Sequence, residues 1–224
     1  MRFQDAGFFN IYCHVPILRA ILLSVFWGGR SMNICVFGAS SDRIDSAYLS
    51  AAEELGTLIA RGGHCLVFGG GREGLMGACA RGVLREGGHA LGIAPRFFDE
   101  PGILMKAECD FLFTDTMSER KRLMEEKADA FIALPGGIGT YEEFFEVLTL
   151  KQLGRHNKPM AMLNTLGYFN IFSTLLRQAA EQGFMRSDVL TLYAMCKDPA
   201  AVLDHILCPE TSPQAPRSLS SYSK

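Results

Sequence analysis

Three short stretches carry residue types able to do chemistry. From Ala133 to Glu143 the chain reads ALPGGIGTYEE. An apolar run ends in a Pro-Gly-Gly bend, a third glycine follows, and a threonine and two adjacent glutamates come next. Gly136, Gly137 and Gly139 free the backbone to turn N–H groups toward an anion, and Thr140, read as opening a helix, offers a hydroxyl and nearby N–H groups to a phosphate. A carboxylate from Glu142 or Glu143 would then stand beside that phosphate. A plainer reading also fits: Thr140-x-x-Glu143 has the spacing of a capping box, in which Glu143 only reaches back to the helix start.

The second stretch is GGGREGLMGACARG, from residue 69 to 82. Gly69, Gly70 and Gly71 sit between an apolar run and a helical pattern, where they suit either a phosphate-cradling bend or close packing of strand on helix. Gly69, Gly71 and Gly74 fall at the positions of a dinucleotide fingerprint, but no acid ends the next strand to hold an adenosine ribose, and no Gly-Lys-Ser/Thr follows as in a Walker loop. The third stretch, MSERKRLMEEKAD (117–129), brings Arg120 and Lys121 to the start of a helix. They could grip a small anion, or form weak surface pairs with Glu119 and Glu125 on a solvated face.

The elements that must position these residues alternate along the chain. Short β-rich runs occur at NICVF (33–37), HCLVF (64–68), HALGI (89–93), DFLFT (110–114), AFIAL (130–134), PMAML (159–163) and LTLYA (190–194). Each is apolar on both faces, the mark of parallel strands covered on both sides. Between them, SAYLSAAEELGTLIARGG has helical period and ends at a glycine pair suited to a C-cap. SERKRLMEEKAD, TYEEFFEVLTLKQLG and YFNIFSTLLRQAAEQG also read as helices. The alternation predicts an α/β fold: a single doubly wound, Rossmann-like parallel sheet with helices on both faces. Ligands of such sheets bind beyond the carboxyl ends of the strands. GASSD with Gly38 and Ser40, GGGREGLMG and PGGIGTYEE all follow strands and so fall on that one edge.

Composition narrows the function classes. A 224-residue chain with net charge −2 has no broad basic field for nucleic acid. Its seven cysteines are scattered without a Cys-x-x-Cys, which favours buried thiols in a reducing cytoplasm over a zinc site. Residues 1–31 are apolar but interrupted by Pro16 and Arg19. They are read as an extension outside the core, with a membrane-associated helix as the lesser alternative. The Pro/Ser-rich end, 209–224, is expected to be a disordered tail, leaving 32–208 as the folded domain.

Taken together, FGASSD, FGGGREGLMG, MSERKRLM, ALPGGIGTYEEFFEVLTLKQLGRHNKP and MLNTLGYFNIFSTLLRQAAEQGF resemble the Lonely Guy (LOG) family. These are the cytokinin riboside 5'-monophosphate phosphoribohydrolases and their bacterial relatives, often labelled lysine decarboxylase-like. The family hallmark PGGxGTxxE runs here from Pro135 to Glu143. The resemblance implies hydrolysis of the N-glycosidic bond of a purine nucleoside 5'-monophosphate to free base and ribose 5-phosphate. It implies Arg120 and Glu143 as the catalytic pair. It implies Lys121, Gly136, Gly137, Gly139, Thr140, Glu142 and Thr149 as substrate-binding positions, with Gly69, Gly70, Gly71, Gly38 and Ser40 on the same edge. No metal or redox cofactor is called for, no membrane partner is expected, and a homodimer is. One departure is Ser118 after Met117, where many members have histidine. A non-catalytic nucleotide or cofactor carrier on the same fold is the alternative; a carrier would need the phosphate loop but not the acid.

The chemistry suits these groups. Cleaving a ribosyl C–N bond passes through an oxocarbenium-like transition state, which a carboxylate can stabilise while also activating water. An arginine guanidinium keeps its proton, so Arg120 is assigned to orientation and charge stabilisation.

Overall fold

A computed structural model of the protein describes residues 31–208; the expectations for the N-terminal extension and for the tail lie outside the described residues. Seven parallel strands form one sheet: β1 (Asn33–Phe37), β2 (Cys65–Phe68), β3 (His89–Pro95), β4 (Asp110–Thr114), β5 (Ala130–Ala133), β6 (Met160–Leu163) and β7 (Ala194–Cys196). Their order is β4-β3-β2-β1-β5-β6-β7. Sequence order therefore runs one way from β1 to β4 and the other way from β5 to β7. The crevice opens where the direction changes, between β1 and β5, which pair with Ile34 opposite Ala130 and Phe37 opposite Ala133.

Alternation along the central strands builds two cores. Ile34 and Val36 of β1 face one side with Leu66 and Phe68 of β2. Helices α1 (Ser46–Arg61), α2 (Gly74–Arg85) and α6 (Pro199–Leu207) cover that side. Cys35 and Phe37 face the other with Phe131 and Ala133. There α3 (Met117–Lys127), α4 (Ile138–Gln152) and α5 (Asn170–Glu181) close the layer. The two-sided burial read from the sequence holds for the central strands. It fails at β4, where Leu112 is exposed because β4 is an edge strand with no neighbour beyond it.

Of the stretch 190–194 only Ala194 belongs to a strand. Residues Ser187–Thr191 wind into a 3₁₀ turn that buries Val189, and β7 begins only at Ala194. The C-terminal helix α6 starts on the side chain of Asp198, which accepts from Ala201 N, with Pro199 at its first position. At the far end of α1, Gly62 caps the helix and Gly63 takes φ +71°, as the glycine pair predicts. Part of the glycine pattern in 69–82 serves packing. A Cβ on Gly82 would meet Glu53 O at 2.1 Å, so α1 and α2 approach closely there.

Candidate active site

The bends after β1, β2 and β5 are tied into one rim. Ala39 N donates to Pro135 O at 3.0 Å and Leu75 N donates to Ala39 O at 2.8 Å. Gly74 N donates to the Asp42 carboxylate at 2.7 Å. Gly74 itself has φ +69°, and a Cβ there would lie 2.1 Å from Ala39 O, so only glycine lets the second bend seat against the first.

Into this rim α3 delivers Arg120. Its start is fixed by a capping box: Thr116 Oγ1 accepts from Glu119 N, and the Glu119 carboxylate accepts from Thr116 N. β4, the strand before α3, lies at the sheet edge with β3, β2 and β1 between it and β5. From there α3 crosses back over those strands, and Arg120 Nε donates to Ile93 O of β3 at 3.1 Å. Arg120 Nη1 donates to Glu143 Oε1 at 2.7 Å, and the two side chains are only 8% and 9% exposed. Gly69 backs the other terminal nitrogen, since a Cβ there would stand 2.5 Å from Arg120 Nη2.

Glu143 reaches this position because α4 starts earlier than the sequence suggested. The helix begins at Ile138 with Gly137 at its N-cap, so Thr140 lies inside the first turn rather than opening it. No side chain caps α4. The capping-box reading of Thr140 and Glu143 therefore falls: Glu143, three positions beyond where such a partner would sit, points to Arg120. Gly137, Ile138 and Gly139 are exposed at the uncapped start, where the unpaired N–H groups of a first turn attract anions. Thr140 is buried against the bend: a Cβ on Gly136 would come within 2.1 Å of its hydroxyl.

Burial pushes the Glu143 carboxyl above the usual carboxylate range, and the Arg120 charge opposes that rise. Such a group can hold or release a proton nearer neutrality than a surface glutamate. Beside the buried pair, Lys121 bridges Glu142 and Glu146, the latter at 3.1 Å. Its ammonium is raised by the hydrogen bond it donates to Glu142. Beneath it, Cys35 is buried and held as the neutral thiol.

A cleft of about 490 Å³ opens from the second bend, lined by Ser40, Gly71, Arg72, Phe97, Phe98 and Ile103. The segment after β3 forms its wall, laid against the glycine bend by Arg72 N to Ile103 O and Met105 N to Gly70 O, both 2.9 Å. The structure thus brings Arg120, Lys121, Gly136, Gly137, Gly139, Thr140, Glu142, Glu143, Gly69, Gly71 and Ser40 to one edge. Gly70 turns its α-carbon onto the Phe111 ring, and Gly38 is buried against Leu134 and Leu75, so both serve packing beneath the rim. Thr149 is exposed on α4, about 9 Å along the helix axis from Glu143, and does not join the pair within one chain. Asp42 in GASSD and Tyr168 in MLNTLGYFNIF carry roles that their residue types alone do not declare. Both follow a strand on the ligand edge, and that placement was the signal. The Ile93 carbonyl has no sequence signal at all.

A family model described as "possible lysine decarboxylase" matches residues 76–206. The cytokinin riboside 5'-monophosphate phosphoribohydrolase of Rhodococcoides fascians is 39% identical over 178 residues, covering 79% of this chain and 90% of that one. The chain belongs to the LOG family. A further member, the cytokinin riboside 5'-monophosphate phosphoribohydrolase LOG2 of Arabidopsis thaliana, is 40% identical over 158 residues, covering 70% of this chain and 74% of its own. Among solved structures, the molybdenum cofactor carrier protein of Chlamydomonas reinhardtii superposes with a TM-score of 0.61 at 24% identity, covering 80% of this chain and 99% of that one. That likeness is one of fold. Among the described residues of this LOG-family chain, no helix is long and apolar enough to cross a membrane.

Proposed function

We propose that this protein is a hydrolase that cleaves the N-glycosidic bond of purine nucleoside 5'-monophosphates, releasing free base and ribose 5-phosphate. The observation that carries the reading is the buried Arg120–Glu143 pair set beside the uncapped start of α4. A carrier would need the anion site but gains nothing from a desolvated carboxyl next to it.

In this reading the 5'-phosphate rests on the N–H groups of Gly137, Ile138 and Gly139, with Lys121 adding positive charge. Binding energy from the phosphate then holds the ribose in place for the reaction at C1'. Glu143 faces C1' as the glycosidic bond lengthens. Its carboxylate stabilises the developing oxocarbenium charge and takes a proton from the attacking water. The water oxygen bonds to C1', the base leaves with the electron pair of the broken C–N bond and takes a proton from solvent, and Glu143 then returns the proton of the attacking water to solvent. Arg120, held by Ile93 O, fixes the carboxyl and balances its charge. The base lies in the cleft lined by Phe97, Phe98 and Ile103. These exposed apolar side chains suit an alkylated purine better than a bare one, so cytokinin riboside 5'-monophosphates are the proposed preferred substrates over AMP. A homodimer in the cytoplasm completes the proposal: Phe145 on α4 and Leu153 just past its end leave apolar surface that a second copy would cover.

Purified protein incubated with AMP and with isopentenyl-AMP tests this, with chromatography for adenine and isopentenyladenine. Release of both bases, the alkylated one faster, is expected. Nucleotide binding without any free base would hand the site to the carrier reading.

A further inference from the structure

We propose that Tyr168 is a positioning residue for the anion-binding bend at the start of α4. This rests on the reading of that bend as the phosphate site. Tyr168 lies in the turn between β6 and α5, outside the three stretches that carry the chemistry of the site. Its hydroxyl donates to Gly136 O at 2.6 Å. In a planar trans peptide the carbonyl and the following N–H point opposite ways. Fixing the Gly136 carbonyl toward Tyr168 therefore aims the Gly137 N–H away from it. That is the side on which Gly136 gives way from buried to exposed backbone at Gly137 and Gly139. Without the phenol, a Gly-Gly peptide unit is free to rotate, because neither residue carries a Cβ to resist it.

The phenol is itself held on several sides. Tyr141 of α4 donates its hydroxyl to that of Tyr168 at 3.0 Å, so a two-phenol relay links the first turn of α4 to the bend before it. The Tyr168 ring meets Tyr48 of α1 edge-on at 6.1 Å and Phe169 at 5.1 Å. The turn that delivers it is strained: Leu166 takes φ +52° and is 67% exposed, so its side chain buries little in return. Asn164 secures the turn by accepting from Phe169 N at 2.7 Å. The chain thus keeps a left-handed leucine at the ligand edge, and what the turn achieves is to place one hydroxyl on one carbonyl of the bend.

Tyr168→Phe keeps the ring contacts and removes only the donor. Equilibrium binding of ribose 5-phosphate to the wild-type and variant full-length proteins reads the effect directly. The variant is expected to bind about tenfold more weakly, the scale of losing one hydrogen bond that orders a charged contact, with its melting temperature little changed. Tyr141→Phe, one step back in the relay, is expected to lose about two- to threefold. A loss below threefold in Tyr168→Phe overturns the proposal, as does a wild-type protein that does not bind ribose 5-phosphate. Release of free base from AMP or isopentenyl-AMP is scored separately. A wild-type protein that binds ribose 5-phosphate but releases no base removes the hydrolase reading and leaves the role of Tyr168 standing.

Discussion

Arg120 and Glu143 meet at 2.7 Å with less than a tenth of either side chain exposed, and the arginine is held from behind by Ile93 O. A buried ion pair is a poor device for stability, since desolvating two charges offsets most of their attraction. Its place at the strand-end edge instead marks it as functional. Glu143→Gln leaves an acceptor for the guanidinium but no group to take a proton or balance a cationic sugar. Turnover, measured as free base, is expected to fall by roughly a thousandfold or more. The melting temperature should stay within a few degrees of wild type. Retained turnover would remove Glu143 from the chemistry.

The pH profile follows from the same carboxyl. Burial raises it above the ordinary glutamate value of 4.5, and Arg120 holds it down against that rise. If the carboxylate is the working form, kcat/KM climbs with pH through the raised value, so the acid limb lies above that of a surface glutamate. Arg120→Gln removes the opposing charge and should move the limb to still higher pH. Stability carries the complementary sign. The folded state holds this proton more tightly than the unfolded chain, so the contribution present at low pH is lost as pH rises through the folded value. The melting temperature of Glu143→Gln should therefore improve relative to wild type over that interval. An acid limb in the surface-glutamate range would sink this assignment.

Gly69 touches the pair without being able to react. A Cβ there would stand 2.5 Å from Arg120 Nη2. Gly69→Ala is expected to push the guanidinium off Glu143 and lower kcat/KM by about ten- to a hundredfold, because small displacements of positioning groups are felt strongly. Ribose 5-phosphate affinity should change little, since α4 and its bend are untouched. Wild-type kinetics in this variant would show that the guanidinium tolerates displacement.

Much of this was legible in the sequence because glycine, hydroxyl and charged residues after parallel strands have few other uses. The strands β1, β2, β3, β5 and β6 announce themselves by continuous apolar runs. Gly62 and Gly63 announce the end of α1. Strand order is not legible: nothing local says that β4 lies at the edge, so the route of Arg120 over three strands has no signal in the sequence. Thr140 misled because a threonine three residues before a glutamate mimics a cap. The true N-cap is Gly137, which leaves its donors open and has no side chain to advertise them. Tyr168 was missed because its role depends on a carbonyl 32 residues away.

Lys151 lies in the last turn of α4, about 12 Å along the helix from Glu143, at the opposite edge of the sheet. Its side chain is fully buried, and its Nζ has no hydrogen-bond partner among the described residues. Burial lowers the amine from 10.5 to about 8. Nearby His156, half-buried, is lowered to about 4 by burial, and His205 is lowered as well. The sign is definite. Between about 8 and 10.5 the unfolded chain binds this proton and the folded one does not, so wild-type stability rises with pH across that window, and below it the cost of a buried ammonium is borne in full. Lys151→Met keeps the length of the side chain and removes the charge. It is expected to stabilise the protein by about 1–3 kcal/mol at pH 7, with the gain shrinking as pH approaches 10. Denaturant melts at pH 7 and pH 10 measure this. A gain that is equal at both would show that the wild-type amine finds a partner in solution.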